Sequence, residues 1–389
     1  MYSFDFCLPT EVFFGKGVTE NKLAETLKRY GNKVLLCYGG GSIKKIGLYD
    51  TVISILKREG FEVHELSGIA PNPRIVSVRE GIEICRKKRI DVILAAGGGS
   101  VIDCAKMVGA GYYYEGDPWD ICSKKASVSG SLPVVTVLTL AATGSETNST
   151  AVISNDQTLD KVGVTSKYLY PRVSFLDPTL TCSVPRFQTA AGSADILSHV
   201  IETYFNKGED MYMLDRVMEG IMKTVIEYAP IALKEPFNYE ARANLMWASG
   251  WAINGFIQGS KVKAWSCHPI EHQLSARYDV THGLGLAIIT PRWLRYCLNA
   301  ENAERYYTFG VNVFGIDPAL DRFEAAARAI KALEEFFYTV LKLKSNFTDL
   351  GIGEEEFGDM AEKAAKALSP GAFVRLTKED IERIYIDCL

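Results

Sequence analysis

The sequence predicts two domains, an α/β domain built on a parallel sheet followed by an all-α domain, and three observations predict it. In the first half, short β-branched runs alternate with helical stretches. Those runs are continuously apolar rather than alternating, as in a parallel sheet covered on both faces. From about Pro185 the strands cease and the periodicity is helical to the end. The length of 389 residues agrees, at roughly 100–200 residues per domain.

Lys33–Tyr38 reads as a buried strand, followed by glycines and a helix through about Lys57. Asp91–Ala96 repeats the scheme, and Leu132–Thr139 is a third strand. The segment from Phe4 to Phe14 is expected to add edge strands. In the second half, helices are expected over 186–206, 240–258, 302–314, 320–341, 354–367 and 378–386. The last opens with Thr377-Lys-Glu-Asp380, which resembles a capping box. The boundary falls near Ser183–Pro185, giving domains 1–184 and 185–389, with Pro185 suited to a first helical turn. A ligand is expected in a crevice between the halves, at the carboxyl ends of the strands.

Composition narrows the function. With 47% hydrophobic and 23% charged residues the chain is an ordinary globular protein. A net charge of −4 supplies neither a basic field for nucleic acid nor a polybasic membrane patch. No apolar run approaches the roughly 18 residues of a membrane span, and the N-terminus lacks a secretory signal's basic start. Nine cysteines without a C-x-x-C pair read as small buried hydrophobes kept reduced in a cytoplasm.

Two strand–turn–helix units share one tetrapeptide: Gly39, Gly40, Gly41, Ser42 and Gly97, Gly98, Gly99, Ser100. Glycines after a strand let the backbone approach a phosphate, and the following helix offers unpaired N–H groups. Neither turn is a G-x-G-x-x-G fingerprint or a P-loop. The second turn, followed by Asp103 and Lys106, is expected to cradle a pyrophosphate. The first closes the strand where an adenosine ribose lies. It carries no acid to hold a 2′-hydroxyl, but has Ser42 with Lys44 and Lys45 behind it, which favours NADP(H) over NAD. Thr139-Leu-Ala-Ala-Thr-Gly-Ser-Glu146, after the third strand, offers small residues and hydroxyls to the same ligand.

Histidine is concentrated. Of five, only His64 lies outside residues 199–282. Asp195 and His199 are four apart on a predicted helix, as are His268 and His272, so each pair shares a helical face. His282 follows, with Gly283 and Gly285 permitting close backbone approach. One carboxylate and three imidazoles make a four-ligand site for a divalent cation, with room for a substrate oxygen. Spacing alone does not decide between His268 and His272. Nitrogen and oxygen donors without thiolate suit Fe²⁺, Zn²⁺ and related ions.

At these residues the chain resembles the iron-containing (group III) alcohol dehydrogenase family, in particular its NADPH-dependent butanol dehydrogenases. The resemblance runs end to end. It is carried by Val12-Phe-Phe-Gly15, Gly97-Gly-Gly-Ser-Val-Ile-Asp103, Thr143-Gly-Ser-Glu146, Asp177-Pro178, Asp195-x-x-x-His199, His268-Pro-x-x-His272 and Thr281-His-Gly283. Ala141-Ala142 departs from the Ala-Gly of many relatives. The resemblance implies a Rossmann-like dinucleotide-binding domain and a helical metal-binding domain, in the dehydroquinate synthase-like architecture, and a homodimer. It implies that Asp195, His199, His268 and His282 hold Fe²⁺ and that His272 sits near the nicotinamide, where its near-neutral pKa suits proton transfer. Gly40, Ser42, Gly98, Gly99, Ser100, Asp103, Thr139, Thr143 and Ser145 would line the cofactor site. Gly39, Gly41, Gly97 and Leu140 belong to the same loops, and Asn72 and Lys161 are further contacts. The activity so implied is hydride transfer between NADP(H) and a small primary alcohol or aldehyde such as butanol or butanal.

Three alternatives differ in chemistry. A polyol dehydrogenase would keep the site and change the substrate. A dehydroquinate synthase-like lyase would need several basic residues beside the metal, but residues 247–290 offer Lys261, Lys263 and Arg277 in a mostly apolar stretch. A metal-stabilised structural protein would close its coordination sphere.

Overall fold

The computed structural model describes residues 3–208, 211–259, 261–369 and 371–389. Its strands are β1 (Glu11–Phe14), β2 (Lys33–Cys37), β3 (Glu62–Leu66), β4 (Val92–Gly97), β5 (Val134–Leu138), β6 (Thr150–Asn155), β7 (Asp160–Thr165) and β8 (Val173–Leu176). Six of them form a parallel sheet in the order β1-β8-β5-β4-β2-β3, and β6 and β7 form an antiparallel hairpin. Helices α1 (Val18–Lys28), α2 (Ser42–Lys45), α3 (Leu48–Arg58), α4 (Ile75–Lys88), α5 (Gly99–Gly111) and α6 (Pro118–Cys122) belong to this unit.

Alternation explains why the central strands are apolar throughout. Val34 and Leu36 of β2, with Val92 and Leu94 of β4, enter one core. Their neighbours Leu35, Cys37, Ile93 and Ala95 enter the core on the opposite face. β2 pairs with β3 on one side and with β4 on the other. The chain therefore reverses its direction of travel across the sheet between β2 and β4, the switch point where open α/β sheets bind ligands.

The sequence reading missed β3, β8 and the hairpin. β3 is an edge strand with the polar sequence Glu-Val-His-Glu-Leu, and β8 has four residues, one of them Ser174. That serine is buried without penalty because Thr136 Oγ1 donates to its Oγ at 2.8 Å. Of the expected N-terminal edge strands only β1 forms.

The second half is helical: α7 (Arg186–Phe205), α8 (Tyr212–Lys234), α9 (Tyr239–Trp251), α10 (Cys267–Tyr278), α11 (His282–Cys297), α12 (Ala303–Phe314), α13 (Arg322–Glu334), α14 (Phe357–Ala367) and α15 (Lys378–Ile386). α15 carries the capping box, with Thr377 and Asp380 bonded reciprocally. α8 lies within the stretch read as helical, although it was not singled out, and it contains Pro230, an ordinary helix breaker. The segment 240–258 is not one helix, because Gly255, at φ 94°, separates α9 from a 3₁₀ turn at Phe256–Gln258. The segment 320–341 continues past α13 as a π-helix over Glu335–Val340.

Contacts divide the chain into two compact units between Val184 and Pro185, with two exchanges that the sequence did not suggest. Pro236–Gly250 group with the sheet, and the stretch ending at Phe6 groups with the helices. Within the sheet unit, Trp247 of α9 packs edge-on against Phe14 of β1 at 5.4 Å. No helix among the described residues is long and apolar enough to cross a membrane.

Candidate metal centre and dinucleotide turns

Helix α7 is buried on every face from Thr189 to Phe205, so any polar side chain it carries needs a partner or a ligand. Asp195 and His199 project from one face of it, 2% and 3% exposed. α10 brings His268 and α11 begins with His282. The three helices converge on Asp195. His199 Nε2 lies 3.6 Å and His282 Nε2 3.8 Å from its Oδ1, and donor atoms of Asp195, His268 and His282 lie within 4.8 Å of one another. Two ligands bound to one ion at about 2.1 Å in tetrahedral array stand about 3.4 Å apart, close to these separations. His268 stacks on His199 with ring centroids 4.6 Å apart. His268 Nε2 is buried and accepts no hydrogen bond, which is the condition of a nitrogen awaiting a cation. The donor set fits a divalent ion, and no cysteine joins it.

The geometry also explains the two glycines after His282. A Cβ on Gly283 would lie 1.9 Å from the carbonyl oxygen of Ala191 on α7, and one on Gly285 would lie 2.8 Å from Cγ of Glu271 on α10. Only bare backbone lets α11 sit this close to both helices.

Two carboxylates absent from the sequence reading stand behind the imidazoles. Glu202 Oε2 accepts from His268 Nδ1, and Glu271 Oε2 from His282 Nδ1. Both glutamates are buried, at 1% and 0% exposure. A signal existed for each: Glu202 is an acid in a buried helix three residues after His199, and Glu271 lies inside His268-x-x-Glu-His272. Burial drives the His199 pKa well below its usual value, with His268 and His282 adding to the effect, so that ring stays neutral. Burial also pulls down His268, but the Glu202 charge and hydrogen bond outweigh it and the net shift is upward. His272 stands beside this cluster, its ring 5.5 Å from that of His282 and 6.4 Å from that of His268. Glu271, His272 and His282 form a second grouping of possible donors that shares His282 with the first.

In the sheet unit the two glycine turns follow adjacent strands, β2 and β4, at the switch point. They differ in what surrounds them. Positions 40 and 41 have no atom within 4 Å of where a side chain would begin, and Gly41 adopts φ 111°. The second turn is packed instead: a Cβ on Gly98 would meet Leu140 at 3.2 Å, and one on Gly99 would meet Thr143 Oγ1 at 2.1 Å. The second turn's glycines thus seat the 139–145 loop, with Thr139 N donating to Gly97 O at 3.0 Å. α5 starts at Gly99, next to Ser100, and no side chain caps its first turn.

Asp103 and Ser145, both expected to face the cofactor, face each other. Ser145 Oγ donates to Asp103 Oδ1 at 2.5 Å, and Val152 N donates to Oδ2 at 2.9 Å. Lys106 is fully buried and donates to Asn148 O and Oδ1 and to Thr150 O at 2.8–3.0 Å. Lys161 of β7 pairs across the hairpin with Ser154, whose N–H donates to Pro73 O at 2.9 Å, so Lys161 and Asn72 come to one neighbourhood.

Beside the first turn an acid does exist, supplied by the neighbouring strand. Glu65 of β3 accepts from Tyr38 Oη at 2.6 Å and from Tyr49 Oη at 2.9 Å, and that bond pushes the Tyr49 pKa up to about 12. Lys44 Nζ lies over the same two rings, 5.1 and 4.6 Å from their centroids. Two of the three basic residues that a lyase would turn on an anionic substrate are engaged by acids. Lys261 pairs with Asp215 at 3.7 Å, and Arg277 with Glu356 and Asp359.

Comparison with known proteins identifies the family. Residues 9–178 match the iron-containing alcohol dehydrogenase family and residues 189–389 match the C-terminal domain of the Fe-containing alcohol dehydrogenase family. The chain is 48% identical over 387 residues to the NADH-dependent butanol dehydrogenase A of Clostridium acetobutylicum, covering 99% of each. It is 37% identical to an NADPH-dependent aldehyde reductase of Escherichia coli, covering 90% of each. The crystal structure of NADH-dependent butanol dehydrogenase A from Thermotoga maritima superposes with a TM-score of 0.95 at 38% identity, covering 100% of this chain and 99% of that one.

Proposed function

Because this chain belongs to the iron-containing alcohol dehydrogenase family, we propose that it moves hydride between NADP(H) and a small primary alcohol or aldehyde of the butanol and butanal type. That it is an alcohol dehydrogenase or aldehyde reductase, using a nicotinamide and a divalent metal, follows from the family and its relatives. The finer reading is supported by the grouping of Asp195, His268 and His282 about the unpartnered His268 Nε2, with His199 Nε2 3.6 Å from Asp195 Oδ1.

When bound, the cation supplies Lewis acidity toward the substrate oxygen, and the nicotinamide gives or takes the hydride. The protein does the rest. Asp195, His199, His268 and His282 would hold the cation, with Fe²⁺ favoured by the family and Zn²⁺ an alternative ion for the same donors. His272, one helical turn beyond His268, takes the proton from the substrate hydroxyl at its imidazole and passes it outward. The backbone N–H groups at the start of α5 would hold the pyrophosphate, and the open turn Gly39–Ser42 would take the adenosine ribose. Asn72, Lys161, Thr139, Thr143 and the Asp103–Ser145 pair shape the remainder of that site.

NADP(H) is favoured over NAD(H) by the open first turn, its Ser42 and lysines, and the engagement of Glu65 by two phenols. An acid already holding two donors is a poor acceptor for ribose hydroxyls. Relatives of both nicotinamide preferences exist, so the test compares cofactors directly. Aldehyde-dependent oxidation of NADPH and NADH is followed with butanal, glyceraldehyde and methylglyoxal, after reconstitution with Fe²⁺ or Zn²⁺. The proposal requires a higher kcat/KM for NADPH and for butanal, and the reverse order would overturn it. A homodimer through the sheet edge at β1 and a cytoplasmic location complete the proposal.

A further inference from the structure

His199 and His282 turn Nε2 toward Asp195, His268 has its Nε2 buried without a partner, and the atoms behind the three rings differ. Glu202 uses both oxygens: Oε1 accepts the backbone N–H of Ser266 at 2.5 Å and of Cys267 at 2.7 Å, while Oε2 accepts His268 N–H at 3.1 Å and His268 Nδ1. One carboxylate therefore caps the start of α10 and fixes the ring that α10 carries. Glu271 stands behind His282. Its Oε2 meets His282 Nδ1, and its Oε1 accepts from Ser275 Oγ, which is also within 3.0 Å of Val280 O. His199 Nδ1 is buried and has no hydrogen-bond partner.

We infer that Glu202 and Glu271 are positioning residues: each holds the proton of its histidine on Nδ1, presents Nε2 as the lone-pair donor, and so sets the cation affinity of the centre. The inference rests on the metal-centre reading above. An imidazole whose Nδ1–H is held by a carboxylate cannot rotate or change tautomer without stranding a buried charge, and its Nε2 becomes more basic. Two such pairs surround a site that otherwise holds a single carboxylate, Asp195. Glu271 is on this reading outside the coordination sphere, although its oxygens, His272 and His282 would also group as donors.

The two glutamates should respond differently to amide substitution, because their hydrogen-bond inventories differ. Every group facing Glu202 is a donor, so a glutamine there must set its own NH₂ against N–H groups and turn His268 to the wrong tautomer. At position 271 a glutamine can keep its carbonyl on His282 Nδ1–H. Its NH₂ then donates to Ser275 Oγ, whose own proton goes to Val280 O.

The test is the affinity of metal-stripped protein for Zn²⁺ in competition with a chromophoric chelator, with the visible spectrum of the Co²⁺ form recorded in parallel. Glu202→Gln and Glu271→Ala should each weaken Zn²⁺ binding roughly 10–100-fold. Glu271→Gln should weaken it about fivefold or less, with the Co²⁺ bands of the parent. A merely structural role would lower the melting temperature of the metal-free protein and leave affinity alone. Equal affinities in parent, Glu202→Gln and Glu271→Ala would overturn the inference. So would a stoichiometry of two ions, or a Glu271→Gln as weak as Glu271→Ala, since either makes Glu271 a ligand. Should Glu202→Gln fail to fold, the Glu271 pair decides. Failure of the parent itself to bind one Zn²⁺ tightly would sink the metal-centre reading instead.

Discussion

Replacing Gly283 by alanine adds one methyl group in the first turn of α11, where it would stand 1.9 Å from Ala191 O and 2.6 Å from the carbonyl carbon. An ordinary carbon–oxygen contact is about 3.3 Å, so the two helices must separate locally by about 1.4 Å. Neither partner is a side chain, so no rotamer relieves the clash. Overpacking of this kind costs about 3 kcal/mol, at the top of its usual range. Alanine recovers about 1 kcal/mol in helix propensity, leaving a net loss of about 2 kcal/mol. For a cooperative unit of about 200 residues that lowers the melting temperature by about 4–8 °C. The shift also pulls His282 on α11 away from Asp195, which sits one turn beyond Ala191 on α7. Metal–ligand bonds tolerate about 0.2 Å, so cation affinity should fall more than tenfold. Calorimetry of metal-free protein and chelator competition measure the two effects. Gly220→Ala is the control: that glycine lies exposed in α8 with no atom within 4 Å of its Cβ position, and the same chemical change should stabilise by about 0.5–1 kcal/mol. A Gly283→Ala protein as stable as the parent, with unchanged affinity, would refute the reasoning.

Other outcomes follow from the same geometry. Asp195→Ala should abolish both bound metal and activity, measured by elemental analysis and turnover; an active, metal-free variant contradicts the centre. His272→Ala should cut kcat about 100-fold or more while metal content stays at one ion per chain; loss of metal there would move His272 into the ligand set. Gly40→Asp fills open space with a carboxylate beside the ribose, so KM for NADPH should rise at least about tenfold while that for NADH changes little. Glu146 is fully buried with neither carboxylate oxygen hydrogen-bonded, and burial pushes its pKa up to about 7. Between its ordinary pKa and about 7 the folded chain keeps a proton that the unfolded chain has lost. Stability therefore falls as pH rises through that window and levels off above it. Glu146→Gln lacks this term, so its melting temperature relative to the parent should climb from pH 5 to pH 7, by an amount equivalent to a few kcal/mol.

The sequence alone was enough for the features that depend on local spacing. Strand runs ending in glycines, Asp195 and His199 four apart, and the Thr377–Asp380 cap all reflect the period of a helix or the chemistry of a turn, which a short window contains. Edge strand β3 escaped because its outward residues are polar. The hydrogen bond between Ser145 and Asp103, 42 residues apart, lies beyond any local window.

What only the tertiary structure decided is long-range pairing. Glu202 meets His268 across 66 residues, α11 approaches α7 closely enough to demand glycine at 283, and the chain's reversal between β2 and β4 sets the two glycine turns side by side. Pro236–Gly250 join the sheet unit although their sequence is as helical as its neighbours. Periodicity tells which face of an element is buried but not against what. The partner is chosen by packing and by the need of every buried charge for an opposite or a hydrogen-bonding group, and that choice is made in space.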